Sequence, residues 1–154
     1  MKFICDSMVG KLARWLRMMG FDTVYEKSGD LSKIIKQAEE ENRVILTRNS
    51  RFKKVKTPAK IFFLSSEKTL EQVKQVFDEF NLRGKCSFLT RCMECNSPLK
   101  EIKKEDVKGK VPFFVYDTHE EFAMCPVCGR IYWEGTHVSR MKDKLKEVGI
   151  WPLK

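Results

Sequence analysis

The sequence lacks the signatures of several common chemistries. It has no G-x-S-x-G, no phosphate-cradling G-x-x-x-x-G-K and no G-x-G-x-x-G. Its two histidines, His119 and His137, both fall in the C-terminal half. No apolar run approaches the ~20 residues of a membrane-spanning helix. Asp6 interrupts the opening "MKFICDSMVG", which excludes a secretory signal there. With 42% hydrophobic and 33% charged residues the chain reads as globular, soluble and cytoplasmic, with no membrane partner. Acid is missing locally as well. Between Asn42 and Ser66 there is no Asp or Glu, while seven bases occur: Arg43, Arg48, Arg51, Lys53, Lys54, Lys56 and Lys60.

That stretch belongs to a wider asymmetry. The net charge is +9, and residues 1–85 hold 18 Lys/Arg against 11 Asp/Glu, whereas residues 86–154 hold 12 against 10. A basic first part, one-sided around residues 43–60, points to a polyanionic partner.

What is present divides the chain in two. Residues 1 to about 82 alternate short apolar runs with helical patterns. "KFIC", "FDTVY", "VILT" and "KIFFL" read as strands. Leu12, Trp15, Leu16 and Met19 recur at helical spacing, as do Leu31, Ile34, Ile35 and Ala38, and Leu70, Val73, Val76, Phe77 and Phe80. Thr69-x-x-Gln72 has the form of a capping box for the third helix. Such βα alternation with short connections predicts a mainly parallel sheet with helices on its faces. Function then collects at the C-terminal strand ends, where Asp6, the region before Asp30 and Thr47 to Asn49 fall.

After Leu82 the pattern becomes turn-rich. Cys92-x-x-Cys95 and Cys125-x-x-Cys128 are two knuckles able to surround one structural Zn²⁺ with four thiolates. Asn96 and Gly129 follow them, residue types that tolerate the left-handed turn each knuckle needs. "KVPFFVYDT" and "RIYWEG" are predicted as strands and "HVSRMKDKLKEV" as a closing helix. Cys5 is expected in the core, and Cys86 has no evident role. The expected domains are therefore 1–85 and 86–154.

Four motifs in this order, "FICDSMVGKLARWLRMMGFDTVY", "GDLSKIIKQAEEENRVILTRN", "CMECNSPL" and "CPVCGRIYWEGTHVSRM", resemble the mut-seven C-terminal RNase-like family. The resemblance covers nearly the whole chain. It implies a PIN-like three-layer α/β domain followed by a small β-rich zinc ribbon. It also implies metal-dependent hydrolysis of RNA with Mg²⁺ or Mn²⁺, and it places Asp6, Asp30 and position 49 among the catalytic acids. The chain departs from the family at position 49, where Asn49 replaces the acid of T-R-D. Asparagine keeps a carbonyl oxygen and loses the charge, so weaker metal binding and lower turnover are expected.

Each of these residues also has a plainer use. Asp30 suits a helix N-cap and Asn49 a turn. Three functional readings follow: a PIN-like ribonuclease weakened at Asn49, a catalytically inactive RNA-binding or ribosome-associated zinc-ribbon protein, or a zinc-ribbon protein that docks onto another protein. In the first two, Arg14, Arg17, Arg48, Arg51, Lys53 and Lys54 are the expected RNA contacts.

Overall fold

Alternation along the strands decides how the sheet is buried. In β1 (Lys2–Cys5), Phe3 and Cys5 enter one apolar cluster and Ile4 enters another. In β3 (Val44–Thr47), Leu46 joins the first cluster and Ile45 the second. A strand with period-two burial on both faces has to be covered on both faces. The computed structural model, described here for residues 1–150, supplies those covers. β2 (Asp22–Tyr25) and β4 (Ile61–Phe63) complete a four-stranded, all-parallel sheet in the order β2-β1-β3-β4.

The helices α1 (Gly10–Met18) and α3 (Thr69–Phe80) cover the first face, through Leu12, Leu16, Val73, Val76 and Phe77. Edge-to-face rings, Phe21 on Phe77 at 5.9 Å and Phe3 on Phe80 at 5.6 Å, fill the space between α3 and the sheet. The helix α2 (Leu31–Glu41) covers the second face with Ile34 and Ala38, and Phe52 plugs the same layer from a 3-10 turn, Ser50–Lys54. The result is a three-layer α/β unit. Cys5 lies fully inside it, and burial pushes its thiol far up from the ordinary value. Cys86 packs against the same core, with its thiol pushed up to about 11 by burial.

The second part is a small antiparallel sheet, β5 (Lys100–Ile102), β6 (Phe122–Met124) and β7 (Ile131–Tyr132), beside the cysteines. Between β5 and β6 lie two short helices, α4 (Lys104–Val107) and α5 (Phe113–Thr118). The predicted strand over 110–118 is thus a helix for most of its length. Pro112 opens it and fits the first turn, and Val115 alone of its residues is buried, which a helix allows and a paired strand of alternating burial would not. The capping box also differs from expectation. The helix α3 starts one residue earlier, with Lys68 at the cap position. Ser66 and Gln72 do the local work, Gln72 Nε2 donating to the Ser66 carbonyl at 2.9 Å.

The last helix, α6 (Thr136–Glu147), returns to the first unit. Its Val138 and Met141 pack on Met18, and Leu145 with Ile150 enters the core beneath α1 and α3. Among the described residues no helix is long and apolar enough to cross a membrane.

Candidate nucleic-acid edge and metal centre

β1 ends at Cys5, level with Tyr25 of β2 and Leu46 of β3, so the next residues of three strands open on one edge. Asp6 follows β1 there. It is 2% exposed and caps a 3-10 turn (Ser7–Val9), with Oδ1 accepting from the Met8 amide at 2.9 Å. Its Oδ2 accepts the hydroxyl of Thr47, the last residue of β3. The Thr47 oxygen in turn accepts the Asn49 amide at 2.9 Å. A relay of three groups, Asn49 to Thr47 to Asp6, therefore ties the two central strand ends together. Sequence reasoning placed Thr47 at this strand end and gave its hydroxyl no role. Its signal was available, since a hydroxyl two residues before Asn49 and level with the residue after Cys5 faces a buried carboxylate that needs a donor.

Asn49 is half-buried and caps the turn at 50–54, its Oδ1 accepting from the Arg51 amide at 3.0 Å. Asp30 is exposed and caps α2, its Oδ1 accepting from the amides of Ser32 and Lys33. The loop before it folds back on the residue after Asp6: a Cβ on Gly29, whose φ is +73°, would sit 3.1 Å from Ser7 Oγ. Glu26, directly after β2, is a fourth oxygen donor on this edge. Hydrogen bonds from Ser28 hold its carboxyl below the ordinary value, against the nearby charge of Asp30.

The chemistry of these donors fits a hard cation held by one or two carboxylates and completed by water, the usual Mg²⁺ arrangement. Each oxygen of Asp6 has spent one lone pair and keeps another. It does not fit a cage of three carboxylates. Among the described residues, no three acidic groups of this edge bring ligating oxygens within 4.8 Å of one another.

Cations flank the edge. Phe52 is 1% exposed and anchors its turn, which leaves Arg51, Lys53 and Lys54 outside. Arg48 is half-buried, donating to the Leu64 carbonyl at 3.3 Å. Other expected contacts are occupied elsewhere. Arg17 is 9% exposed, and its guanidinium donates to the carbonyls of Thr23 (2.8 Å), Met93 (2.9 Å) and Glu94 (3.2 Å). It presents no charge to a polyanion and serves instead as a clamp between α1 and the first cysteine knuckle. Arg14 is exposed but paired with Glu94. Arg43, counted with the basic stretch, is buried in ion pairs with Asp22 at 2.8 Å and Glu41 at 2.6 Å.

The knuckles repeat one geometry. The amides of Cys95 and Cys128 point at the sulfurs of Cys92 and Cys125, at 3.4 and 3.5 Å. The amides of Asn96 and Gly129 close each turn on the Cys92 and Cys125 carbonyls, both at 2.9 Å. Asn96 and Gly129 hold φ of 65° and 78°, the left-handed region expected from their types. All four sulfurs lie within 4.8 Å of one another, with Cys92 Sγ and Cys128 Sγ 3.7 Å apart. A tetrahedral ion with Zn–S bonds of ~2.3 Å sets sulfurs ~3.8 Å apart, so this donor set fits a closed, structural Zn²⁺ site.

The first knuckle also grips the sheet. Asn96 Oδ1 accepts the Thr23 amide at 2.9 Å, and Asn96 Nδ2 donates to Asp22 Oδ1 at 2.7 Å. Burial raises the Asp22 carboxyl, but hydrogen bonds from Arg43 and Asn96 and the charges of Arg43 and Arg91 outweigh it and hold the group below its ordinary value.

The profile of the Mut7-C RNAse domain matches residues 1–145. The exonuclease mut-7 homolog of Homo sapiens is 32% identical over 101 residues, which are 62% of this chain and 12% of that protein. The chain thus spans a small part of the relative's length. No solved structure matches it significantly. A nuclease-family profile over almost the full length joins the three-layer sheet, its acidic edge and the four-cysteine centre in one assignment: this nuclease-like chain belongs to the Mut7-C RNAse domain family.

Proposed function

We propose that the protein binds RNA across the C-terminal edge of its parallel sheet and hydrolyses it there slowly, with a divalent cation. The observation that carries this reading is the Asn49–Thr47–Asp6 relay at the strand ends, flanked by the outward cations Arg51, Lys53 and Lys54. Asp6 and Asp30 would hold Mg²⁺ or Mn²⁺, which supplies an activated water and screens the scissile phosphate. Thr47 fixes the Asp6 carboxylate in one orientation. Asp6 keeps one lone pair free on each oxygen. Asn49 can offer the ion only a neutral carbonyl, already shared with the Arg51 amide. The turn cations draw in the phosphate backbone without regard to sequence.

A second reading is favoured by the caps. Asp6, Asp30 and Asn49 each spend side-chain oxygen on local main chain. A protein that bound RNA without cutting it would keep these bonds and the basic turn.

The test is cleavage of single-stranded RNA in Mn²⁺ by wild type, Asn49→Asp and Asp6→Asn/Asn49→Asp, with binding measured alongside. Asn49→Asp is expected to raise cleavage at least about tenfold, equivalent to about 1.4 kcal/mol of transition-state stabilisation, and the double variant to lose the gain. RNA binding without cleavage or Mn²⁺ binding in any of the three selects the second reading. Absence of RNA binding defeats both.

A further inference from the structure

One cavity lies far in sequence from the acidic edge, in the zinc-bearing part. It measures about 390 Å³, a size suited to a small planar ligand. Its wall is mostly apolar and aromatic, with Met93, Phe114, His119, Tyr132, Trp133 and His137 contributing. Phe114 is 68% exposed at its rim, and its neighbour Phe113 is 79% exposed. Two adjacent phenylalanines held in water beside an aromatic cavity form a patch, which isolated surface apolar residues do not.

Trp133 also helps to line a second, adjoining cleft. That cleft holds Arg14, Lys110 and Arg130. Arg14 is neutralised by Glu94, but Lys110 and Arg130 are exposed and their side chains have no ion-pair or hydrogen-bond partner among the described residues. A third cleft that Trp133 helps to line carries Glu101 and Glu121, so clefts of opposite charge meet at this residue. The wall is fixed by the metal centre: the Tyr132 hydroxyl lies 3.1 Å from Cys92 Sγ and accepts the Met93 amide at 3.1 Å.

An aromatic slot with unpaired cations on one side is the combination that single-stranded nucleic acid requires, a stacking surface for a base and positive charge for the adjoining phosphates. We infer that the cavity beside Trp133 is a nucleobase-stacking subsite for single-stranded RNA, with Lys110 and Arg130 holding the adjoining phosphates. This inference rests on the RNA reading above and adds a second contact point, distinct from the basic turn at 50–54. The strand leaves the slot through the cleft of Lys110 and Arg130, because Glu101 and Glu121 repel it in the other.

The test uses the full zinc-loaded chain and an oligouridylate of about a dozen nucleotides carrying 4-thiouridine, long enough for one stacking groove. Photocrosslinks are expected on Phe114 or Trp133. Trp133→Ala should weaken binding about tenfold, the loss typical of one stacked base, and Trp133→Phe should restore most of it. Phe114→Ala, exposed and outside the packed clusters, should weaken binding in the same direction without a folding cost. Arg130→Ala should lower the log–log salt slope by about 0.7. If oligouridylate binds but crosslinks only to the turn at 50–54, and both Phe114→Ala and Trp133→Ala bind as wild type, the subsite is overturned while the RNA reading stands. If wild type binds no oligouridylate at about 50 mM salt, where phosphate contacts are strongest, the RNA reading itself fails.

Discussion

The Thr47 hydroxyl donates to Asp6 Oδ2 and so joins the C-terminal ends of the two central strands inside a site where Asp6 is 2% exposed. A carboxylate so deeply placed needs its donors. Thr47→Val keeps the shape and removes one. We expect it to destabilise the fold by about 2 kcal/mol, the usual range for a bond to a charged group. Thr47→Ser keeps the hydroxyl and should cost less than half of that. Urea denaturation of the three proteins measures it. Equal stability for the valine variant and wild type would mean that water replaces the hydroxyl.

Arg17 is the clearest case of a charge that is not a surface charge. It bridges β2 and the first knuckle through three carbonyls. Arg17→Met removes every one of these bonds and leaves the carbonyls without their donor. The expected loss is about 2 kcal/mol, since the Thr23 carbonyl is buried and the Met93 carbonyl partly so, whereas at exposed Glu94 water replaces the donor. Arg17→Lys should rescue only part, because one ammonium lacks the planar fork that reaches three oxygens. RNA affinity per folded molecule should not change, a readout that a phosphate contact would move.

The sequence disclosed the sheet because its strands alternate on a fixed period, and it disclosed the four-cysteine cluster because two knuckles of this spacing have few other uses. Asp6, Asp30 and Asn49 were legible as positions, and so were the capping role of Asp30 and a turn at Asn49, since an acid before a helix and an amide after a strand are local signals. Arg17 and Arg43 were not legible. Counting charge along the chain says nothing about which guanidinium finds a carbonyl 76 residues away. The segment at 110–118 misled for a related reason. Phe113, Phe114, Val115 and Tyr116 all favour strands, and tertiary context, with Pro112 at the first turn, overrode that preference.

Asp22 gives a pH signature. Its carboxyl is held below the ordinary value in the folded protein, so its contribution to stability is complete above the unfolded value of about 3.9 and is lost as pH falls through the lower folded value. Asp22→Asn should therefore be less stable than wild type at neutral pH, and the gap should close below about pH 4. Denaturation at a series of pH values, each with both proteins, separates this from the acid release of zinc, which the two share. A gap independent of pH would mean that the substitution disturbs packing and not charge.

Zinc removal should reach the parallel sheet by way of Asn96. A coordinated ion is largely folding energy for a part with so small a core, so chelation should loosen the cysteine knuckles first. Native protein should carry about one zinc per chain, the stoichiometry of a closed four-thiolate site. The first knuckle holds Asn96 in the left-handed region, and Asn96 in turn holds the Thr23 amide and the Asp22 carboxylate at the edge of β2. The Thr23 amide is thus a reporter inside the first unit for an event in the second. Its hydrogen exchange should accelerate on chelation, while the Asp6 amide, bonded to the Leu46 carbonyl at 3.3 Å where the two central strands end, stays protected. Asn96→Gly separates the two causes. Glycine accepts the left-handed turn without strain and so should retain zinc, but it has no side chain to offer β2. Fast Thr23 exchange in a zinc-loaded Asn96→Gly protein would assign the coupling to this side chain. Slow Thr23 exchange in the metal-free wild type would show instead that the sheet holds its edge without the knuckle.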